Sequence, residues 1–240
     1  FVSPALLVVA RLLQGLSVGG EYGASATYVS EMAGGTRRGF WSGFLYVTLI
    51  GGQLAAMLLQ VLLQNLLSEA QLYDWGWRIP FVVGAALAVV VFWIRRGIHE
   101  TRSFTQAPEP PHERGKAMLL FLKYPKETAI VVALTAGGGL GFYTYTTYMQ
   151  KLLVNTAGFA KPVAAQIMTA VLATFMVFPP LAGWIADHVG RKRTLVVAFG
   201  MSALLAVPVL SAIAQATDPV AVFFLCLLPL FFLSGYSALS

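Results

Sequence analysis

Seven apolar stretches follow one another along the 240 residues, each near the ~20 residues a helix needs to cross a bilayer. They lie at about 2–29, 40–66, 77–95, 128–153, 162–186, 194–214 and 219–240. Backbone N–H and C=O groups in hydrocarbon must be satisfied within the chain, so such a series folds as helices packed side by side. A buried soluble core could explain one or two of these runs, but not seven in series. Hydrophobic residues make up 58% of the chain and charged residues 11%, the latter under half of the roughly 25% usual in soluble domains. The expected fold class is all-α: a polytopic membrane protein built as helical bundles.

The charges give the chain an orientation. Arg37 and Arg38, then Arg95, Arg96, Arg102, Arg114, Lys116, Lys123 and Lys126, then Arg191, Lys192 and Arg193 fall on one face. The other face holds Arg78, Lys151 and Lys161. The positive-inside rule puts the first face in the cytoplasm. A net charge of +6 distributed over span ends in this way argues against a nucleic-acid partner and for a lipid bilayer. The widest break, with Pro108, Pro110 and Pro111 among alternating charges, reads as a cytoplasmic linker at 97–127. It separates three spans in 1–96 from four in 128–240. Within it, Ala117–Tyr124 fits a short amphipathic helix on the membrane surface. Tyr73, Trp75 and Trp77 mark the outer interface before the third span.

Ionisable and strongly polar groups in a span are expensive and call for a reason. In the first span, Arg11, Gln14, Glu21, Tyr22 and Ser25 fan along one side of the helix at 100° per residue. Such a stripe meets either a solute- and proton-responsive cavity or a neighbouring helix held by an Arg–Glu or Arg–backbone lock. Gly15, Gly19 and Gly23 form overlapping small-x-x-x-small pairs that suit helix packing. In the second span, Tyr46, Gln53, Gln60 and Gln64 share a face, and Gln53 follows Gly51-Gly52. The fourth span has Gly137-Gly138-Gly139 and Gly141, then a hydroxyl-rich half with Tyr143, Thr144, Tyr145, Thr146, Thr147 and Tyr148. At least one face of that half must meet a polar cavity; whether it is the face of Tyr143 and Thr147 or that of Tyr148 is open. Pro179-Pro180, Pro208 and Pro229 predict kinks in later spans.

The residues of enzyme chemistry are missing. His99, His112 and His188 all fall in cytoplasmic loops without metal-ligand spacing, and no Ser–His–Asp or C-x-x-C arrangement occurs. The glycine run lacks the Lys-Ser/Thr and preceding strand of a phosphate loop. Cys226, the one cysteine, reads as a small apolar filler. Neither an enzyme, a cofactor nor a metal is expected.

Between the fifth and sixth stretches lies Gly183-Trp-Ile-Ala-Asp187-His-Val-Gly190-Arg191-Lys192-Arg193, read as a tight charged hairpin in which Gly183 and Gly190 permit the turn and close packing and Asp187 caps or pairs locally. It closely resembles the signature loop of the major facilitator superfamily of secondary transporters. Arg11-Leu-Leu-Gln14-Gly15 resembles that family's fourth-helix motif, R-x-x-Q-G. Together with Trp75-Gly-Trp-Arg78-Ile-Pro-Phe81 and Glu100-Thr-Arg102, it is similar to the metabolite:proton symporter branch. The stretches Tyr46–Leu54 and Phe142–Gly158 look most like the α-ketoglutarate permeases within it.

That resemblance implies the fourth to tenth of twelve spans, in an internal piece of a longer protein: 1–96 as the second half of the N-terminal bundle and 128–240 as most of the C-terminal one. It implies alternating access in a multi-pass, monomeric protein of a bacterial inner membrane. The substrates would be a small 2-oxoglutarate-like dicarboxylate and protons. It assigns cavity lining and proton coupling to Arg11 and Gln14. With Glu21, Tyr22, Gln53, Tyr143, Thr147 and Tyr148, these are the expected substrate and proton pathway. Gly183, Asp187, Gly190, Arg191, Lys192 and Arg193 are the expected gating loop. The alternatives are a proton/osmolyte symporter for proline or betaine, and, from another class, a channel or a nutrient receptor.

Overall fold

The computed structural model describes residues 2–33, 37–97 and 121–239, all helical apart from short connections. Helix α1 (Val2–Met32) runs for 31 residues, about 46 Å, and is followed by α2 (Arg38–Leu66). A short outer helix, α3 (Glu69–Asp74), begins with a reciprocal cap in which Ser68 and Gln71 exchange side-chain and backbone hydrogen bonds. A 3-10 turn (Gly76–Arg78) leads into α4 (Ile79–Arg95). Beyond the linker, α5 (Pro125–Tyr143) passes through a π turn (Thr144–Tyr148) into α6 (Met149–Asn155) as one continuous rod. Then come α7 (Lys161–Phe175), α8 (Phe178–Val189), α9 (Arg191–Gln215) and α10 (Pro219–Ser237).

The stretches expected at 40–66, 77–95, 128–153, 162–186, 194–214 and 219–240 are the six segments long and apolar enough to cross a membrane. The first expected span is the long helix α1. The span at 162–186 is broken between α7 and α8, just ahead of Pro179-Pro180. Pro208 and Pro229 lie inside α9 and α10. Residues 117–120 of the proposed surface helix, with the rest of 98–120, lie outside the described residues, and 121–123 are helical.

The core forms where α2 meets the second half of the chain. Ile50 of α2, Met149 and Leu153 of α6, Met168, Leu172 and Phe175 of α7, Ile213 of α9, and Val222 and Leu230 of α10 are completely buried together. Cys226 sits among them, as an apolar filler would. Helix α2 crosses α8 at backbone contact distance. A Cβ on Gly39 would lie 2.7 Å from the Gly183 oxygen, and one on Gly43 would lie 2.6 Å from the Pro179 oxygen. Glycines on both partners permit this approach. Gly138 likewise receives the ring of Tyr236. The glycines of α1 do not pack in this way: a Cβ on Gly15, Gly19 or Gly23 would meet nothing within 4 Å among the described residues.

Candidate functional site: a clasp, an inter-helix bridge and a polar stripe

The charged hairpin is more compact than its sequence suggests. Gly183 and Asp187 belong to α8, and Arg191, Lys192 and Arg193 form the first turn of α9. Only Gly190 links them, at φ +103°, a conformation open to glycine and strained for other residues. Gly183 therefore serves packing and not the turn. Asp187 pairs across the molecule and not locally: its Oδ1 accepts from the Gly39 N–H at 2.9 Å and its Oδ2 from the Phe40 N–H at 3.0 Å. These are first-turn donors of α2, which have no partner within their own helix. The carboxylate thus sits on the positive end of a 29-residue helix dipole. The same end carries a polar cleft of about 450 Å³ lined by Thr27, Ser30, Glu31, Arg38, Ser42 and Arg191. Lys192 and Arg193 are exposed beside it.

At mid-length on α2, the Gln53 amide donates to the Thr146 carbonyl and to the Thr147 hydroxyl, both at 3.2 Å. Sequence periodicity put Gln53, Gln60 and Gln64 on one face, but only Gln53 reaches a partner helix; Gln60 and Gln64 are exposed. The hydroxyl-rich half of the rod sorts itself. Tyr145 and Thr146 are buried, whereas Tyr143, Thr147 and Tyr148 are exposed. Two of its hydroxyls bond back to the rod itself, Thr144 to the Leu140 carbonyl and Thr146 to the Phe142 carbonyl, each at 2.7 Å.

On α1, the Arg11 guanidinium donates to the Gln14 side-chain oxygen at 2.9 Å, and both residues are exposed. Glu21 pairs with Arg95 of α4 at 2.8 Å, each side chain about half exposed. An Arg–Glu lock between helices does exist, but its arginine closes α4 and is not Arg11. Tyr22 meets Tyr46 edge to face at 6.4 Å between centroids. Tyr46 in turn meets Phe142 at 5.5 Å and Tyr236 at 6.4 Å. One aromatic layer therefore joins α1, α2, α5 and α10. Sequence reasoning missed Arg95, Tyr46 as a hub, and the pairing of Asp187 with α2. Periodicity reports which residues share a helix face, not which helix that face meets. No group of three or more His, Cys, Asp or Glu side chains is placed to hold a metal among the described residues.

Comparison with known proteins fits this architecture. The sequence profile of the Major Facilitator Superfamily matches residues 1–240. The alpha-ketoglutarate permease of Escherichia coli (strain K12) is 48% identical over 238 residues, covering 99% of this chain and 54% of the permease. A putative proline/betaine transporter of Staphylococcus haemolyticus is 29% identical over 237 residues, covering 98% of this chain and 50% of that protein. The proline/betaine transporter of Escherichia coli (strain K12) is 26% identical over 216 residues, covering 86% and 43%. The chain thus spans about half the length of the curated relatives it matches. No solved structure matches it. With six membrane-length helices, a full-length profile match and permease relatives, the chain is part of a multi-pass membrane protein and belongs to the major facilitator superfamily.

Proposed function

We propose that the intact protein is a secondary active transporter that carries a small dicarboxylate of the 2-oxoglutarate type together with protons. The observation that carries this reading is the 48% identity to an alpha-ketoglutarate permease across 99% of the chain. The proline/betaine transporters stand at 29% and below, and they supply the runner-up substrate class. In this reading residues 1–96 and 128–240 belong to two bundles that rock about the substrate, joined by the cytoplasmic linker, in a bacterial inner membrane. The protein acts as a monomer and its chemistry is binding and movement, without an enzymatic step.

Arg11 supplies positive charge for a carboxylate or balances a proton-carrying acid, with Gln14 holding its guanidinium. Glu21 is the candidate proton carrier, its charge offset by Arg95. Tyr22, Tyr143, Thr147 and Tyr148 contribute hydroxyls, and Gln53 contributes an amide where the two halves meet. The aromatic layer about Tyr46 closes the pathway below them. Asp187 on the α2 N-terminus, with Gly39 against Gly183, clasps the cytoplasmic side shut. Gly190, Arg191, Lys192 and Arg193 set the geometry and charge of that clasp.

Uptake of labelled 2-oxoglutarate by vesicles carrying the intact protein tests the reading. Accumulation against the gradient, abolished by a protonophore, is expected. Equilibration that ignores the proton gradient would indicate a channel, and binding without flux a receptor. Arg11→Ala is expected to abolish accumulation with the protein still inserted; near-normal uptake would remove Arg11 from the pathway.

A further inference from the structure

The π turn at Thr144–Tyr148 is a place where the rod formed by α5 and α6 holds one residue more than a regular helix would. Such a widened turn shifts its backbone hydrogen bonds from the i+4 to the i+5 donor. Thr144 and Thr146 add side-chain hydrogen bonds to the carbonyls of Leu140 and Phe142 from within the rod. The Thr146 carbonyl is met from outside by the Gln53 amide of α2, which also reaches the Thr147 hydroxyl. Gln53 thus brings a side chain from before the linker onto the widened turn. Below the turn the rod is fixed by packing of Phe142, and above it by Met149 and Leu153, both fully buried.

Two polar clasps join helix α2 to the second half of the chain. One is the Asp187 carboxylate at Gly39 and Phe40. The other is Gln53, which lies about 21 Å further along the helix. Reversion of the turn to a regular α-helix would turn the rod beyond it by about 100° and shift the Thr146 carbonyl and Thr147 hydroxyl that Gln53 holds.

We propose that Gln53 is a positioning residue of the transport cycle, holding the π turn in its widened register while α2 touches it and releasing it when they part. It acts through the turn and not chiefly through substrate. Contact between the halves is thereby converted into a rotational setting for Tyr148 and the outer half of the rod. The kinetic consequence rests on the alternating-access reading given above; the structural consequence does not.

A pair of substitutions in the intact transporter tests this. Gln53→Met removes the donor at nearly constant volume. Deleting Thr147 takes one residue out of the widened turn, so the rod becomes regular with its two ends facing as before. Gln53→Met is expected to slow turnover about tenfold, the equivalent of one lost hydrogen bond, with KM little changed. In the deletion background it should slow turnover no further. A raised KM at unchanged turnover would make Gln53 an ordinary substrate contact, and multiplying effects would show independent roles; either overturns the proposal. Should the deletion protein fail to insert, Thr147→Val serves the same cycle, and Gln53→Met should slow turnover less in that background than in the unaltered protein.

A second measurement needs no transport. An impermeant thiol reagent applied from outside to Tyr148→Cys should react at a rate that changes severalfold with Gln53→Met and stays unchanged with Gln60→Met. Equal rates in all three would sink the proposal whatever the substrate proves to be. Absence of 2-oxoglutarate uptake with a changed labelling rate would count against the substrate alone.

Discussion

Asp187 places its charge on the backbone of Gly39 and Phe40, which precede it in the sequence by 148 and 147 residues. Hydrogen bonds to a charged acceptor contribute about 1.5–3 kcal/mol each, and the helix dipole adds up to about 1 kcal/mol. Asp187→Asn keeps the size but turns one acceptor into a donor facing an N–H. The clasped state should lose about 2 kcal/mol, on the scale of one such bond. Thiol labelling of Ser42→Cys, in the adjoining polar cleft, should then proceed at least tenfold faster from the cytoplasmic side. Unchanged labelling would mean that the clasp does not hold this side closed. Tyr145 offers a contrasting case. Its ring is buried and its hydroxyl has no hydrogen-bond partner among the described residues. Tyr145→Phe removes an orphaned polar atom, so thermal stability in detergent should stay level or rise, by about 1 kcal/mol at most. A clear loss would reveal a partner for that hydroxyl.

At the scale of elements, the pairing of α2 with α8 depends on bare backbone. Gly39 and Gly43 face Gly183 and the Pro179-Pro180 segment closely enough that no side chain fits between them. Gly39→Val should force the helices apart and undo the Asp187 clasp with them. Its labelling at Ser42→Cys should equal or exceed that of Asp187→Asn, together with a lower melting temperature. A clasp that survives this substitution would show α2 and α8 to be held by other contacts. The signature stretch was legible as a sequence, and so was the demand for glycine at 190. The role of Gly183 was not, because G-x-x-x-D reads equally as a turn or as one helix face. Likewise the polar face of α2 was legible from spacing. That Gln53 alone of its three glutamines would reach a partner helix was not, since nothing in the period of seven marks where a π turn in another helix will lie.

At the scale of the whole molecule, orientation and pairing of the halves are separate matters. From cation placement, the 191–193 turn is expected in the cytoplasm and the loop with α3 outside. In intact cells an impermeant reagent should label Glu69→Cys and spare Lys192→Cys; the reverse would invert the topology. The substrate belongs to this scale too, since about half of the length of the permease relatives lies beyond what this chain covers. Competition for uptake by mono-, di- and tricarboxylates and by betaines should rank dicarboxylates first. Stronger inhibition by proline or betaine would move the assignment to the osmolyte branch.

The sequence by itself determined that the chain is a series of long apolar helices and to which superfamily it belongs. Each of these follows from transfer free energies and short-range spacing that a linear reading can sum. Only the tertiary structure decided that Asp187 caps α2, that Arg95 and not Arg11 neutralises Glu21, and that Gln53 braces a π turn. Those choices depend on which faces meet after the helices pack. Hydrophobic burial, which drives much of that packing, has no direction of its own, and of these three pairings only that of Asp187 falls where backbone contact between glycines brings two helices together.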